Sequence, residues 1–225
     1  MSQMMELTKK FSNLILQRFY DHTPDHVFTV AISGIDASGK GYIAKRLETE
    51  LTAKGLRIAN INIDPWQNPI SIRLREENAA ENFYKNVFRW DDVFARLIIP
   101  LRSTRTVHLT TRLLRTHADE YFDFEFDFRN IDTLIVESIF LFQQPYLKHY
   151  DLRVWIDCSF ETGLKRAIKR NVEQLSKKKL VKDYKTYYYP AQWYHFRKDN
   201  PRGLGNIIYC NDELLGTVGQ MTVIS

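Results

Sequence analysis

Five short runs of apolar residues recur along the chain, separated by segments in which apolar residues repeat at helical spacing. The runs occupy residues 27–33, 56–63, 131–136, 152–156 and 206–209. Runs of this length, bounded by turn residues, are typical of strands that are covered on both faces. Strands that alternate with helical segments indicate an α/β fold. The pattern therefore predicts a parallel five-stranded sheet flanked by helices.

Three further segments add to this sheet. Apolar residues at helical spacing predict an N-terminal helix within residues 1–22. Four phenylalanines that alternate with acidic residues predict a small β-hairpin flap over residues 106–128. An apolar stripe beside a separate basic face at residues 160–179 predicts a helical lid within residues 160–200. We expect all of them to belong to a single domain spanning residues 1–225.

A glycine-containing loop follows the first predicted strand and precedes a helix predicted over residues 42–54. It reads Gly-Ile-Asp-Ala-Ser-Gly-Lys-Gly and matches the P-loop spacing G-x-x-x-x-G-K in the required context. Glycines let successive N–H groups point inward, the helix start adds partial positive charge, and the lysine reaches the outer phosphates. The residues predicted to bind the nucleotide are Gly34, Asp36, Ala37, Ser38, Gly39, Lys40, Gly41 and Tyr42.

Two carboxylates, Asp64 and Glu137, follow the second and third predicted strands. Ligands of parallel sheets bind at the carboxyl ends of the strands, and a buried charge needs a partner. We expect Glu137 to bind Mg²⁺, directly or through water, and Asp64 to accept the proton of a hydroxyl that attacks the γ-phosphate. Gly41 stands where P-loops usually carry the Ser or Thr hydroxyl that binds magnesium. Magnesium binding would therefore depend more on water and on a carboxylate. A helix cap or a loop salt bridge is the alternative for either acid.

The predicted lid and the loops supply further candidates. Arg166 and Arg170 lie four residues apart, on one side of a helix, and are expected to clamp phosphates during transfer; a solvated basic face is the alternative. Ligand-contacting residues often lie on loops and flaps. The residues expected to line the pocket of a phosphate acceptor are Trp66, Tyr84, Arg89, His117 and Tyr121.

Composition narrows the function classes. The 225 residues are 44% hydrophobic and 26% charged, which excludes a disordered chain, and a net charge of +5 favours anionic ligands without requiring nucleic acid. Two cysteines provide no disulfide framework and indicate a reducing compartment. Charged residues interrupt the N-terminal segment, and no apolar stretch reaches about 18 residues. We expect a cytoplasmic protein without membrane or nucleic-acid partners; self-association stays open.

The chain resembles the uridine kinase family of P-loop nucleoside kinases from residue 27 to residue 212. The landmarks, in order, are the P-loop, Asp64, residues 83–94 ahead of Ile99-Pro-Leu101, residues 134–141, the two lid arginines, residues 189–194, Pro201 and residues 206–211. The resemblance implies a P-loop NTPase fold, ATP and Mg²⁺ as co-substrates, and phosphorylation of a 5′-hydroxyl of a nucleoside such as uridine or cytidine. It also implies that Asp64 is the base and Glu137 the metal-side acid.

The sequence departs from this family at several positions. Gly41 replaces Ser or Thr, Ser138 stands where glycine usually follows the acid, and Asn86 and Arg89 occupy a stretch where relatives typically carry aspartates. Asn86 and Arg89 change the residues that would contact the ribose, and hence affect which acceptor the protein would bind.

Three hypotheses follow from the sequence. The first is an ATP-dependent kinase that acts on a small molecule of the nucleoside type. The second is a kinase of an already phosphorylated acceptor such as a nucleoside monophosphate, which Arg89 and the Lys40-Gly41 pair would suit. The third is a nucleotide-binding regulatory module with little turnover, which the missing P-loop hydroxyl suggests.

Overall fold

The computed structural model describes residues 2–22, 25–115, 119–171 and 174–224, with side chains from Lys9 onward. All five apolar runs form strands, which confirms the predicted α/β architecture. The strands are β1 (Phe28–Gly34), β2 (Ile58–Asn62), β3 (Val107–Arg115), β4 (Glu120–Phe128), β5 (Thr133–Glu137), β6 (Leu152–Asp157), β7 (Ile207–Cys210) and β8 (Met221–Val223).

The main sheet has the strand order β2-β5-β1-β6-β7-β8. The first five strands of this order are parallel, so their carboxyl ends share one edge. Ile32 of β1 and Asn62 of β2 both pair with Glu137 at the end of β5, which aligns three strand ends. Strand β8 pairs antiparallel with β7 and was not predicted, because three edge residues carry too little pattern.

Helices cover both faces of the sheet. They are α1 (Ser2–Asp21), α2 (Lys40–Thr52), α3 (Ile70–Arg73), α4 (Ala79–Asn86), α5 (Trp90–Val93), α6 (Ile99–Thr104), α7 (Phe160–Arg170), α8 (Lys177–Asp183), α9 (Tyr189–Asp199) and α10 (Pro201–Leu204). Among the described residues, no helix combines the length and the apolar character that crossing a membrane would require.

Alternation along β1 explains the two layers of helices. Val30 and Ile32 point to the face that packs on α1 and α2, where Phe11, Ile15 and Leu47 are buried. Ala31, between them, points to the opposite face and its larger cluster, which includes side chains of α4 to α6. Every residue of β1 is buried, as expected for a central strand covered on both sides. The glycine loop is thus anchored in a strand that is buried along its whole length.

The hairpin is confirmed, whereas the basic helix is shorter than its apolar stripe. Strands β3 and β4 pair antiparallel, and three of the four phenylalanines in β4 pack against the core while Phe124 is 43% exposed. Helix α7 ends at Arg170 because Asn171 adopts a left-handed conformation (φ +40°) and its N–H bonds to Ala167. A second helix, α8, begins at Lys177, so the stripe at residues 160–179 is not one helix.

Candidate active site

The glycine loop leaves the sheet at the end of β1 and becomes the first turn of α2. Ser38 donates its N–H to the carbonyl of Ile35 at 3.2 Å, which closes a turn inside the loop. Gly39, at the N-cap position of α2, has φ +97°, a left-handed conformation that suits glycine. Lys40 is 7% exposed and its Nζ donates to Ile35 O at 2.9 Å. The ammonium is held against a loop whose helix start favours anions.

The other predicted loop residues differ in their surroundings. Gly34 ends β1, Ala37 is buried, and Asp36 is partly exposed. The hydroxyl of Ser38 is buried and has no hydrogen-bond partner within the described residues. Such groups are unusual in folded proteins and are commonly satisfied by a ligand or water. Tyr42 is 60% exposed on the first turn of α2, so its predicted contact with a nucleotide has less support.

Glu137 is a buried carboxylate at the end of β5. Burial and the nearby negative charge of Asp64 raise the pKa of Glu137 to about 7, against the opposing effect of Lys40 and Arg170. Glu137 forms no ion pair with any described residue. The alternative that it serves in a loop salt bridge therefore has no support. A carboxylate kept in such a place is typical of a functional site.

Asp64 differs from its prediction in one respect. Strand β2 ends at Asn62, so Asp64 lies two residues beyond the sheet, at the start of a 3₁₀ turn, and is exposed. The side chain of Asn62 accepts its N–H at 2.7 Å, which fixes the turn. The expectation of a buried acid was therefore wrong for Asp64 and right for Glu137. The negative charge of Asp64 nevertheless contributes to the raised pKa of Glu137.

Gly41 lies against the carboxylate of Glu137. A Cβ atom built on Gly41 would lie 3.3 Å from Oε1 of Glu137, a contact tighter than most that real Cβ atoms make. Glu137 thus approaches the start of α2 where other P-loops carry a side chain with a hydroxyl. Oxygen donors are the ligands that Mg²⁺ prefers, and a nearby cation would offset the charge of a buried carboxylate. The residues present fit a magnesium ion held by Glu137.

The lid arginines occupy different positions. Arg166 donates from Nη1 to Ser38 O at 3.2 Å and from Nη2 to Asn211 O at 2.8 Å, so it braces the glycine loop. Arg170 is about half exposed, with Nη2 3.9 Å from a carboxylate oxygen of Asp36. Because exposed pairs at this distance contribute little, Arg170 is available to another anion, whereas Arg166 is already engaged.

The remainder of the lid region also contacts the loop through Asp36. The buried Tyr184 donates its hydroxyl to the Asp36 carboxylate, and Gln192 of α9 accepts the Asp36 N–H at 3.1 Å. Residues 177–179 of α8 are exposed. Segments after α7 thus contact the nucleotide loop directly.

Three of the predicted acceptor residues lie together beneath the flap. Trp66 is fully buried and stacks on Phe126 of β4 at 6.1 Å. The Arg89 guanidinium lies 5.2 Å from the Trp66 ring and 6.0 Å from the ring of Tyr121, which is 39% exposed. Arg89 donates from Nη1 to Asp92 and from Nη2 to the carbonyl of Arg112, both at 2.6 Å. Arg89 is therefore engaged within the protein, although it shares Asp92 with Arg96, which lies 3.3 Å from the other carboxylate oxygen.

The other two acceptor candidates are not placed with this group. Tyr84 is 2% exposed, and its hydroxyl donates to Asp199 at 2.5 Å while its ring packs on His195 and Phe140. It joins α4 to α9 and presents almost no surface to a substrate. His117 lies outside the described residues.

Asn211 is a loop contact that the sequence reasoning missed. Its Nδ2 donates to Ser38 O at 2.6 Å and would lie 2.4 Å from a Cβ atom at Gly39. The residue directly follows β7, so the rule that drew attention to strand ends would also have indicated it. Tyr184 and Gln192 offered no comparable signal, because their contacts with Asp36 join positions about 150 residues apart.

Comparison with known proteins supports the fold. No protein-family profile matches the sequence, and no curated protein does. Among solved structures, a possible uridine kinase from Bacillus stearothermophilus superposes with a TM-score of 0.73 at 16% identity, over 92% of this chain and 98% of that one. D-glycerate 3-kinase from Cryptococcus neoformans superposes with a TM-score of 0.68 at 11% identity, over 96% and 99%. The fold is that of P-loop kinases, as predicted.

Proposed function

We propose that this protein is an ATP-dependent, Mg²⁺-requiring kinase that transfers the γ-phosphate to a hydroxyl of a small molecule. The observation that carries the proposal is the convergence of Lys40, Glu137 and Asp64 at the carboxyl edge of the sheet. Phosphoryl transfer needs a cation that binds the phosphates, a carboxylate on the metal side and a base for the acceptor hydroxyl. In this proposal Lys40, Glu137 and Asp64 take these roles in that order.

The loop and its braces bind the nucleotide in this proposal. The N–H groups at the start of α2 and the ammonium of Lys40 bind the phosphates, which requires Lys40 to exchange its bond to Ile35 O for the ligand. Arg166 keeps the loop in shape, and Arg170 stabilises charge that develops on the transferred group. Magnesium, when bound, neutralises phosphate charge, and Glu137 would hold it directly or through water.

Asp64 has a second part in the proposal. Its exposure beyond the end of β2 lets it accept a proton from an incoming hydroxyl, the role of a general base. Trp66, two residues on, is fully buried and stacks on Phe126, so it supports the region next to the base from beneath without offering surface to the acceptor. The acceptor is therefore expected between Asp64 and Tyr121.

A nucleoside such as uridine or cytidine is the acceptor we favour. The resemblance to uridine kinases and the superposed possible uridine kinase support it. Arg89 and the Lys40-Gly41 pair suggested a phosphorylated acceptor, and the pairing of Arg89 with Asp92 weakens the first of these two reasons.

The test is a screen of nucleosides, nucleoside monophosphates, sugars and glycerate for acceptor-stimulated ADP formation. Stimulation by an unphosphorylated alcohol supports the proposal, and preference for a monophosphate would favour the second hypothesis. Tight ATP binding with no stimulation by any acceptor would favour a regulatory module.

Asp64→Asn tests whether Asp64 acts as a base or is needed only for metal binding or folding. The variant keeps the shape of the side chain but takes up no proton, so acceptor-dependent transfer should fall by roughly a hundredfold or more while ATP affinity changes little. Asp123→Asn, an exposed acid on the flap, is the control and should behave like wild type. Equal loss of ATP binding and of transfer would show that Asp64 is a metal or folding residue instead.

A further inference from the structure

A second cluster of ligating side chains lies at the opposite edge of the sheet. His22 directly follows α1, whereas Asp25 and His26 precede β1. One ligand atom from each lies within 4.8 Å of the other two, and the two imidazole rings have centroids 4.6 Å apart. Since β1 spans seven residues, the cluster is about 20 Å from the glycine loop.

The surroundings of His26 orient its ring. Its Nε2 lies 2.8 Å from Oδ1 of Asp151 and 2.6 Å from Nη2 of Arg102, and its Nδ1 contacts Asp25. Asp151 is itself fixed, because Oδ2 accepts the N–H of Thr29 and Oδ1 accepts from Arg102, both at 2.8 Å. A carboxylate that holds the far nitrogen of a histidine is the usual support of a metal-binding imidazole. The arrangement directs Nδ1 of His26 toward Asp25.

His22 adds an independent sign. Its Nε2 atom is buried and has no hydrogen-bond partner among the described residues. Buried nitrogen atoms without a partner are rare because no hydrogen bond in the protein replaces the hydrogen bonds to water that they lose. His22 also borders a cleft of about 360 Å³ that Asp21, Phe28 and Asp151 help to line. The cluster is therefore open on one side to a small ligand or water.

We propose that His22, Asp25 and His26 bind a Zn²⁺-type transition-metal ion. Two imidazoles and one carboxylate suit Zn²⁺, Co²⁺ and Ni²⁺ better than Mg²⁺, which prefers oxygen ligands alone. Three protein ligands leave a fourth position free, and the neighbouring cleft gives it access to water or a small anion. The C-terminal end of α1 adds partial negative charge beside the ion. The site ties the end of α1 to the start of β1.

The experiment titrates the full-length chain with Zn²⁺ in excess Mg²⁺, after EDTA treatment and desalting. Binding is measured by calorimetry and by the metal content of the protein after gel filtration. Wild type should bind one equivalent and melt at a higher temperature when loaded. His22→Ala and the conservative Asp25→Asn should each weaken binding at least tenfold. Asp25 is 85% exposed, so its replacement leaves folding intact.

His108→Ala is the matched control, because His108 is an exposed histidine on the flap that also lies near a carboxylate, Glu125. It should bind zinc like wild type. The proposal is wrong if wild type retains no zinc, or if Asp25→Asn and His22→Ala bind it as tightly as wild type. Metal-free melting curves of all variants show whether any lost binding reflects lost folding.

Discussion

Gly39→Ala tests the geometry of the glycine loop, with Gly55→Ala as its matched control. Both glycines have left-handed φ values, +97° and +90°. A Cβ atom at Gly55 would meet nothing within 4 Å, whereas one at Gly39 would lie 2.4 Å from Nδ2 of Asn211. The control therefore carries the same backbone strain without the collision.

The magnitudes follow from these contacts. Forcing alanine into a left-handed conformation costs about 1 kcal/mol, which is all that Gly55→Ala should lose. At Gly39 the collision also displaces Asn211 from its 2.6 Å hydrogen bond to Ser38 O, which adds roughly 1–2 kcal/mol. Gly39→Ala should therefore lose about twice as much stability as its control or more.

The assay combines urea unfolding with ATP titration of the two variants. Gly55→Ala should bind ATP like wild type, because Gly55 lies at the far end of α2. Gly39→Ala should bind at least tenfold more weakly, since both Asn211 and the Ser38 carbonyl must move. Equal stability and equal ATP affinity in the two variants would refute the close packing of Asn211 on the loop.

Three further experiments probe the carboxylates and the lid. In magnesium-free buffer, Glu137→Gln should be more stable than wild type at pH 8 by up to about 3 kcal/mol, because a pKa raised from 4.5 to about 7 makes wild type lose stability as the pH rises through that window. Urea unfolding at pH 5 and pH 8 should show a difference of less than about 1 kcal/mol at the lower pH. Tyr184→Phe removes a buried donor to Asp36 and should cost about 1–3 kcal/mol in the same assay, whereas Tyr42→Phe, at an exposed hydroxyl, should cost almost nothing. Arg166→Ala should weaken ATP binding as well as transfer, while Arg170→Ala should slow single-turnover transfer alone; identical profiles would contradict their separate positions.

Local patterns predicted most of the framework. The five strand runs, the hairpin and the strand–loop–helix context of Lys40 are all encoded within about twenty residues, so periodicity and glycine placement reveal them. The end of α7 at Asn171 was missed because the apolar stripe continues past it. One residue in a left-handed conformation, stabilised by its own cap, outweighs the stripe.

The site was predicted less completely because its contacts are distant in sequence. Glu137 could be inferred from its place after an apolar run, but no local pattern shows that Tyr184 donates to Asp36, or that Arg166 donates to the carbonyl of Asn211 rather than to a ligand. The burial of Tyr84 depends on α9, more than a hundred residues later. Sequence position indicates which edge carries the site, and tertiary packing decides which side chains are available there.

The most direct test of the central claim is the transfer of the γ-phosphate from ATP to the best acceptor by wild type, Lys40→Ala and Lys45→Ala. Lys45 lies on the same helix but is 72% exposed and pairs with Glu48. Product formation, followed by mass spectrometry, should fall on the order of a thousandfold in Lys40→Ala and remain within about twofold of wild type in Lys45→Ala. Transfer by Lys40→Ala within tenfold of wild type would contradict the assignment of this loop as the phosphate site of a kinase.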